Sequence, residues 1–244
     1  MEIREGLALK IAICEDDAGQ AKMAQAYIRS LAQEFPIEAV EVYTTGDALS
    51  KVLEAGAQEA GAQFDIYLLD IDLPGVSGIA LAEQIRSKQP YACIAFSTSY
   101  PQYVTHAFAL QSAQYFLKPI GKEVFLSAMK KMMKDYTEAW VTLVLENQRT
   151  VTLRQQDIIY IEFYHGIMSV WTRERSYGVR VNVKAWKRIW YQRGFLQSHQ
   201  GYFVNPRHVC AIEADEVLCT DNISCPLSAR CRKDFMDQFL EYMQ

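Results

Sequence analysis

The chain has 244 residues, half of them hydrophobic and 22% charged, with a formal net charge of −4. This length fits one large or two ordinary domains, and the apolar content excludes a disordered chain. No apolar run reaches the ~18 residues of a membrane-spanning helix. Residues 1–10 carry Glu2 and Glu5, which are atypical of a secretory signal. We therefore expect a cytoplasmic protein with no membrane partner.

Charge is distributed unevenly along the chain. Residues 1–140 carry 12 Lys and Arg against 18 Asp and Glu, whereas residues 141–244 carry 13 against 11. Within 173–207, eight basic residues stand against a single acid, Glu174. A locally basic second half indicates an anionic partner, most plausibly nucleic acid, and a solvated basic face is the alternative.

The first half alternates short apolar strands with segments of helical length. The predicted strands are Ala8–Cys14, Ala39–Tyr43, Phe64–Leu69, Cys93–Ser97 and Gln114–Leu117. The predicted helices are Ala18–Glu34, Gly46–Ala57, Gly78–Gln89, Pro101–Ala109 and Lys122–Tyr136. This alternation is typical of an α/β fold, a doubly wound five-stranded parallel sheet with helices on both faces.

After about residue 137 the segments become short, β-branched and aromatic. The predicted strands are Val141–Glu146, Thr150–Arg154, Ile158–Phe163, Ile167–Thr172, Tyr177–Val181, Val209–Glu213, Glu216–Cys219 and Ile223–Cys225. Short helices are predicted at Val183–Trp190 and Ser228–Tyr242. The second half is therefore predicted to be mostly β, which divides the chain into domains 1–136 and 137–244.

The ends of four predicted strands carry residues suited to phosphoryl chemistry. In chain order they are Glu15, Asp16 and Asp17, then Asp70 and Asp72, then Thr98, and then Lys118. The carboxyl ends of parallel strands meet at one edge of the sheet. Crowded carboxylates need protons or a divalent cation, and oxygen ligands suit Mg²⁺. In such a site Asp70 would be the attacking carboxylate, and Lys118 would offset the charge of the transferred group.

The stretch from Lys10 to about Tyr136 resembles a response-regulator receiver domain. The matching segments are KIAICEDD (10–17), FDIYLLDIDLPGVSG (64–78), FSTSY (96–100) and YFLKP (115–119). The resemblance implies that Asp70 is the phospho-acceptor, that Thr98 and Lys118 bind the phosphoryl group, and that Tyr115 is a switch aromatic. It also implies a Mg²⁺ site, made by Glu15, Asp16, Asp70 and the backbone carbonyl of Asp72. Glu15 stands where Asp is commoner, and Asp17 leaves the choice of the acidic pair open by one residue.

Residues from about 139 to 243 resemble a LytTR-type DNA-binding domain. The matching segments are Ile158–Glu162, Phe195–Asn205 and Cys225–Arg230. The resemblance implies a mostly β domain that inserts loops into successive major grooves of DNA. The candidate DNA-contacting residues are His199, Gln200, Tyr202, Asn205, Arg230, Arg232 and Lys233.

Together the two resemblances imply a response regulator of a two-component system. A sensor histidine kinase would phosphorylate Asp70, and the phosphorylated homodimer would bind double-stranded DNA and regulate transcription. Asp70 would be modified in a Mg²⁺-dependent step, without turnover as an enzyme. Two alternatives remain open: a phosphorylation-controlled protein- or RNA-interaction module, and an aspartyl-phosphate hydrolase. The second is disfavoured by Pro74, which stands where the DxD pattern of such hydrolases carries a hydroxyl residue.

Overall fold

A computed structural model describes residues 8–55, 63–110, 112–145 and 147–243. Residues 1–7 and the ends of two predicted elements, at 56–57 and 146, lie outside these ranges. The chain divides into two compact units, Gly6–Thr137 and Glu138–Gln244. In the part of the chain that is described, no helix combines the length and the apolar character needed to span a membrane.

The first unit is built on five parallel strands. They are β1 (Leu9–Cys14), β2 (Ile37–Tyr43), β3 (Ile66–Leu69), β4 (Cys93–Thr98) and β5 (Gln114–Leu117), in the order β2-β1-β3-β4-β5. The helices are α1 (Ala18–Ser30), α2 (Gly46–Ala55), α3 (Gly78–Lys88), α4 (Val104–Ala109) and α5 (Lys122–Glu138). The predicted doubly wound α/β fold is confirmed. Short 3-10 turns replace the predicted end of α1 and the predicted start of α4.

Strand β3 shows why the predicted strands of this unit are continuous apolar runs. Tyr67 and Leu69 belong to the core on the side of α2 and α3. Ile66 and Leu68 belong to the opposite core, with residues of α1 and α5. Because helices cover both faces, all four side chains are buried. From β1, the sheet extends to β2 on one side and to β3, β4 and β5 on the other. The topological switch point therefore lies between β1 and β3, and ligands bind at this point in such sheets.

The second unit contains ten strands in three antiparallel sheets among its described residues. A hairpin joins β6 (Trp140–Val144) to β7 (Thr150–Arg154). The main sheet, ordered β10-β9-β8-β12-β11, comprises β8 (Ile158–Tyr164), β9 (Ile167–Thr172), β10 (Ser176–Arg180), β11 (Leu196–His199) and β12 (Tyr202–Val204). The third sheet comprises β13 (Val209–Ile212), β14 (Glu216–Cys219) and β15 (Ile223–Pro226). The prediction of a mostly β second half is confirmed, although β11 and β12 were not predicted.

The main sheet of the second unit is covered on both faces. On one face its side chains pack with the β6–β7 hairpin and with Trp190 of α6 (Val183–Gln192), which is fully buried. On the other face they pack with the third sheet and with Phe235 of α7 (Ala229–Tyr242). Burial of side chains of this size contributes about 1.5–3 kcal/mol each. These contacts fix α6 and α7 against the main sheet, and they thereby fix which side chains of the two helices lie near the β11–β12 turn.

Candidate functional site

Asp70 directly follows β3 and is 7% exposed. Its Oδ1 accepts hydrogen bonds from the backbone N–H groups of Ile71 and Asp72, at 2.6 and 3.3 Å. Its Oδ2 lies 2.6 Å from the Nζ of Lys118. The Asp70 backbone N–H donates to the carbonyl of Cys14, at the end of β1. The carboxylate is therefore held through both oxygens at the edge shared by the strand ends.

Lys118 follows β5 and joins two carboxylates. Its Nζ donates to Oε1 and Oε2 of Glu15, at 2.9 and 2.8 Å, as well as to Asp70. Burial alone would lower the pKa of Lys118, but its hydrogen bonds and charge interactions with Asp70 and Glu15 raise that pKa above its ordinary value. The ammonium therefore stays charged at neutral pH and offsets part of the negative charge.

Three carboxylates converge near this ammonium. Oxygen atoms of Glu15, Asp16 and Asp70 lie within 4.8 Å of one another, which could hold a metal ion. Burial raises the pKa of Glu15, against the opposing effect of Lys118, and the charge of Asp70 adds to the rise. Three carboxylates facing one ammonium leave a surplus of negative charge. Their hard oxygen donors fit Mg²⁺, as the sequence predicts.

Asp17 has a different role from its two neighbours. It is the N-cap of α1, and its Oδ1 accepts a hydrogen bond from the backbone N–H of Gln20 at 2.8 Å. This satisfies one of the free N–H groups at the start of the helix. This role favours Glu15 and Asp16 as the candidate acidic pair.

Thr98, Tyr100 and Tyr115 form a short hydrogen-bonded chain. Thr98 is the last residue of β4 and fully buried, and its Oγ1 accepts from the Tyr100 backbone N–H at 3.3 Å. The Tyr115 hydroxyl donates to the Tyr100 carbonyl, and the Tyr100 hydroxyl donates to Oδ2 of Asp72 at 3.0 Å. Sequence reasoning missed Tyr100, and its aromatic position in the FSTSY segment was the only available signal.

A cleft with a volume of about 390 Å³ lies beside Glu15 and Lys118. Glu15 and Lys118 contribute its charged lining, and side chains of α1 and α5 contribute apolar surface, among them Met23, Tyr27 and Phe125. A reactant can therefore approach the Lys118 ammonium through a mostly apolar entrance.

In the second unit, the structure places His199 and Gln200 at the turn between β11 and β12. His199 is half-buried and Gln200 is exposed. The Tyr202 ring lies 5.9 Å from the His199 ring and stacks on Tyr160 at 6.1 Å. The Tyr202 hydroxyl donates to Glu162 at 2.5 Å, and this bond, helped by burial, raises the pKa of Tyr202 to about 12. Glu162, which was not predicted as a site residue, thus fixes the ring that supports His199.

The basic residues predicted near the last helix lie in the first turns of α7. Ser228 caps the helix, and its backbone N–H donates to the Ser198 carbonyl of β11 at 2.9 Å. This bond places the start of α7 beside the end of β11. Arg230 and Lys233 are exposed, and Arg232 is half-buried. The structure therefore brings the two matched segments of this unit together.

Asn205 is hydrogen-bonded to the interior of the second unit. The residue is buried, and its Nδ2 donates to the carbonyls of Gln155 and Ile158, at 3.1 and 2.8 Å. Its Oδ1 accepts from the Arg207 backbone N–H at 3.2 Å. These bonds use both donors of the amide and one of the two acceptor positions on its oxygen, so Asn205 has a structural role. Its DNA contact stays a prediction.

Comparison with known families identifies a domain in each unit. Residues 11–130 match the response regulator receiver domain. Residues 148–240 match the LytTr DNA-binding domain. Both resemblances stated from the sequence are confirmed.

Two relatives, one named for transcriptional regulation and one for sensory transduction, each match 71% of this chain. The transcriptional regulatory protein LytR of Staphylococcus aureus is 26% identical over 194 residues, which cover 71% of this chain and 79% of LytR. The sensory transduction protein LytT of Bacillus cereus is 25% identical over 190 residues, which cover 71% of this chain and 76% of LytT. Among solved structures, the response regulatory domain of mrkE from Klebsiella pneumoniae covers 52% of this chain and 98% of its own, with 23% identity and a TM-score of 0.47.

A receiver domain, a LytTr DNA-binding domain and these relatives agree with the acidic site and the basic β unit described above. The chain therefore belongs to the LytTR-type response regulators, which control transcription in two-component systems.

Proposed function

We propose that a sensor histidine kinase phosphorylates this regulator on Asp70 in the cytoplasm and that the phosphorylated chain binds double-stranded DNA as a homodimer. We assign the receiver to residues 1–136 and the DNA-binding domain to residues 137–244. The observation that carries the proposal is the contact of a buried carboxylate, Asp70, with the Lys118 ammonium beside a surplus of acidic oxygens. This arrangement suits a nucleophile and a charge-offsetting group in phosphoryl transfer.

In the proposed reaction a carboxylate oxygen of Asp70 attacks the phosphorus of a phosphohistidine that enters along the cleft beside Lys118. The P–N bond breaks as the P–O bond forms, and the imidazole leaves with the electron pair. Lys118, 2.6 Å from Asp70, offsets the charge on the transferred group. Mg²⁺ held by Glu15, Asp16, Asp70 and the Asp72 carbonyl would supply the remaining positive charge.

The switch residues are linked through one residue, Tyr100. The Thr98 hydroxyl accepts from the Tyr100 N–H and still has a proton to donate to a phosphoryl oxygen. If Thr98 turns toward that oxygen, it loosens the loop whose carbonyl holds the Tyr115 hydroxyl. Phosphorylation at Asp70 would in this way release Tyr115.

For DNA binding we propose direct contacts from the β11–β12 turn and from the first turns of α7. His199, Gln200 and Arg230 would reach base edges, and Arg232 and Lys233 would contact phosphates. Tyr202 would support the His199 ring, since its own hydroxyl is bonded to Glu162. Arg and amide side chains are suited to base edges in the major groove.

A gel-shift experiment with the full chain and mixed genomic fragments tests this function. Mg²⁺ and a small phosphodonor should strengthen the binding of a subset of fragments, and the Asp70→Asn variant should not respond. Equal binding of all fragments with and without the phosphodonor would contradict the proposal. Capture of RNA or of a protein instead of duplex DNA would favour the interaction-module alternative.

We also propose that the modification of Asp70 is stoichiometric. Incubation with a phosphate ester should therefore produce no more than one phosphoryl group per chain and no continuing release of phosphate. Sustained turnover would favour the hydrolase alternative.

A further inference from the structure

The turn between β11 and β12 has little conformational freedom left in its backbone. The Gly201 N–H donates to Nδ1 of His199 at 3.4 Å, and the Gly201 carbonyl accepts from the Phe163 N–H at 2.7 Å. The Gln197 side chain donates to the His199 carbonyl at 3.2 Å. A Cβ at Gly201 would lie 3.0 Å from the Phe163 carbonyl oxygen, which leaves little room for a larger residue. None of these bonds involves the carbonyl of Gln200, which also belongs to the turn.

Helix α6 supplies the partner of that carbonyl. The Nζ of Lys187 donates to the Gln200 carbonyl, and it also lies 5.7 Å from the centre of the Phe163 ring. The Lys187 ammonium therefore makes both a charge-assisted hydrogen bond and a cation–π contact. Lys184, nearly one turn earlier in α6, is exposed and has no such contact with any described residue.

Two roles are possible for Lys187. A lysine in a basic stretch is ordinarily a phosphate contact, which adds affinity for every DNA sequence equally. Here, however, the ammonium binds a carbonyl of the turn that carries His199 and Gln200, so we expect its removal to change the orientation of those side chains. An effect on orientation alters the reading of bases more than the general attraction to phosphates.

We propose that Lys187 is a positioning residue for sequence-specific DNA binding, because it fixes the Gln200 carbonyl and with it the orientation of the turn. This inference rests on the proposed DNA contacts of His199 and Gln200. It also assigns a function to the His199–Gly201 bond. With Nδ1 as the acceptor, the neutral ring carries its proton on Nε2 and presents a donor to DNA. A donor pairs with acceptors such as N7 and O6 of guanine and not with the amino group of cytosine.

The test compares Lys187→Ala, Lys187→Arg and Lys184→Ala in the full phosphorylated chain. The probes are a duplex that the wild type selects from a random pool and a scrambled duplex of the same composition. We expect Lys187→Ala to weaken binding to the selected duplex about tenfold or more, with little change on the scrambled duplex or in the salt dependence. Lys187→Arg should restore most of the loss. Lys184→Ala, the matched control, should weaken both duplexes by the same small factor.

A second readout follows the His199 ring without DNA. Its nitrogen chemical shifts report which nitrogen carries the proton, and Lys187→Ala should change them while Lys184→Ala does not. Equal weakening on both duplexes, together with a salt slope reduced by about one, would make Lys187 a phosphate contact and overturn the inference. An unchanged preference for the selected duplex would also overturn it. If the wild type selects no duplex, the proposed function itself fails, and the inference fails with it.

Discussion

The acidic site of the receiver and the turn of the DNA-binding unit each depend on one lysine, but they use it in opposite ways. The Lys118 side chain is 10% exposed and faces the carboxylates of Glu15 and Asp70. Lys187 is half-exposed and faces a neutral carbonyl, that of Gln200. In the reaction that we propose for the first site, the charged side chains themselves take part in phosphoryl transfer. In the second, the charged side chain shapes a turn so that other side chains can bind. The proposed chemistry therefore depends on the residue types themselves, whereas the proposed recognition depends on which residues the fold brings into contact.

The largest effect that can test this comparison is expected at the receiver site. Asp70→Asn removes the attacking oxygen and should abolish the phosphodonor-dependent mass increase. Asp72→Asn is the matched control, because its carboxylate binds Tyr100 and only its backbone carbonyl is proposed as a ligand. Intact-mass measurement after incubation with Mg²⁺ and the phosphodonor compares the two variants. Modification that survives Asp70→Asn would place the acceptor elsewhere.

Asn205→Ala should affect folding more than recognition. It removes the Asn205 donor from the buried carbonyl of Ile158 and from the part-buried carbonyl of Gln155, which keeps the Ile158 N–H. This should cost about 1–3 kcal/mol of unfolding free energy. Gln200→Ala, at the exposed turn, should leave stability unchanged and weaken DNA binding. Urea unfolding and gel shifts measure the two effects. If Asn205→Ala weakened only DNA binding, the predicted DNA contact at this residue would be supported and the structural role contradicted.

Arg230→Ala should weaken binding to a preferred DNA sequence by about 1–3 kcal/mol if the guanidinium contacts a base. Lys233→Ala, one turn further along α7, provides the comparison with a phosphate contact. Binding measured at several salt concentrations separates the two cases. The same loss on every sequence would show that Arg230 contacts only phosphate.

The smallest effect is expected at a half-buried carboxylate at the other end of the receiver strands from Asp70. Burial raises the pKa of Asp65, against the lowering effects of its hydrogen bonds from the Lys10 N–H and the Tyr136 hydroxyl. An acid whose folded pKa is raised costs stability as pH rises through that pKa. Tyr136→Phe removes one of these hydrogen bonds and should raise the pKa of Asp65 further. The loss of unfolding free energy caused by this substitution should be small near pH 4 and grow to about 1–2 kcal/mol near pH 7.

Urea unfolding at the two pH values measures this penalty. Tyr27→Phe in the same core cluster is the control, since the Tyr27 hydroxyl makes no hydrogen bond with the described residues. A Tyr136→Phe penalty that stays constant with pH would show that the hydroxyl does not act through Asp65.

Most of the receiver could be predicted from the sequence, because strand order alone brings the strand-end residues together. Asp70 and Lys118 follow β3 and β5, and a parallel sheet has only one carboxyl edge. The sequence could not decide between Asp16 and Asp17, since both are acids after the same strand. The N-cap role of Asp17 favours Glu15 and Asp16 as the pair. Tyr100 was missed because its importance arises from a contact with Asp72, 28 positions away.

The DNA-binding unit was predicted less completely because its strands are short and its polar residues are shared with the interior. β11 and β12 have four and three residues, and fully buried Ser198 lies within β11. Such a polar residue hides the alternation that identifies a strand. The interior hydrogen bonds of Asn205 could not be predicted for a similar reason, since an amide used in the interior looks in sequence like an amide available for DNA.

The backbone bond from the Ser228 N–H to the Ser198 carbonyl has a consequence for the promoter. It joins the segment that carries His199 to the segment that carries Arg230, so neither can shift along the double helix without the other. If these two side chains read bases as proposed, we expect the base pairs that they contact to keep a constant separation in every target. Inserting a single base pair between them should abolish recognition, even where each half of the operator is intact.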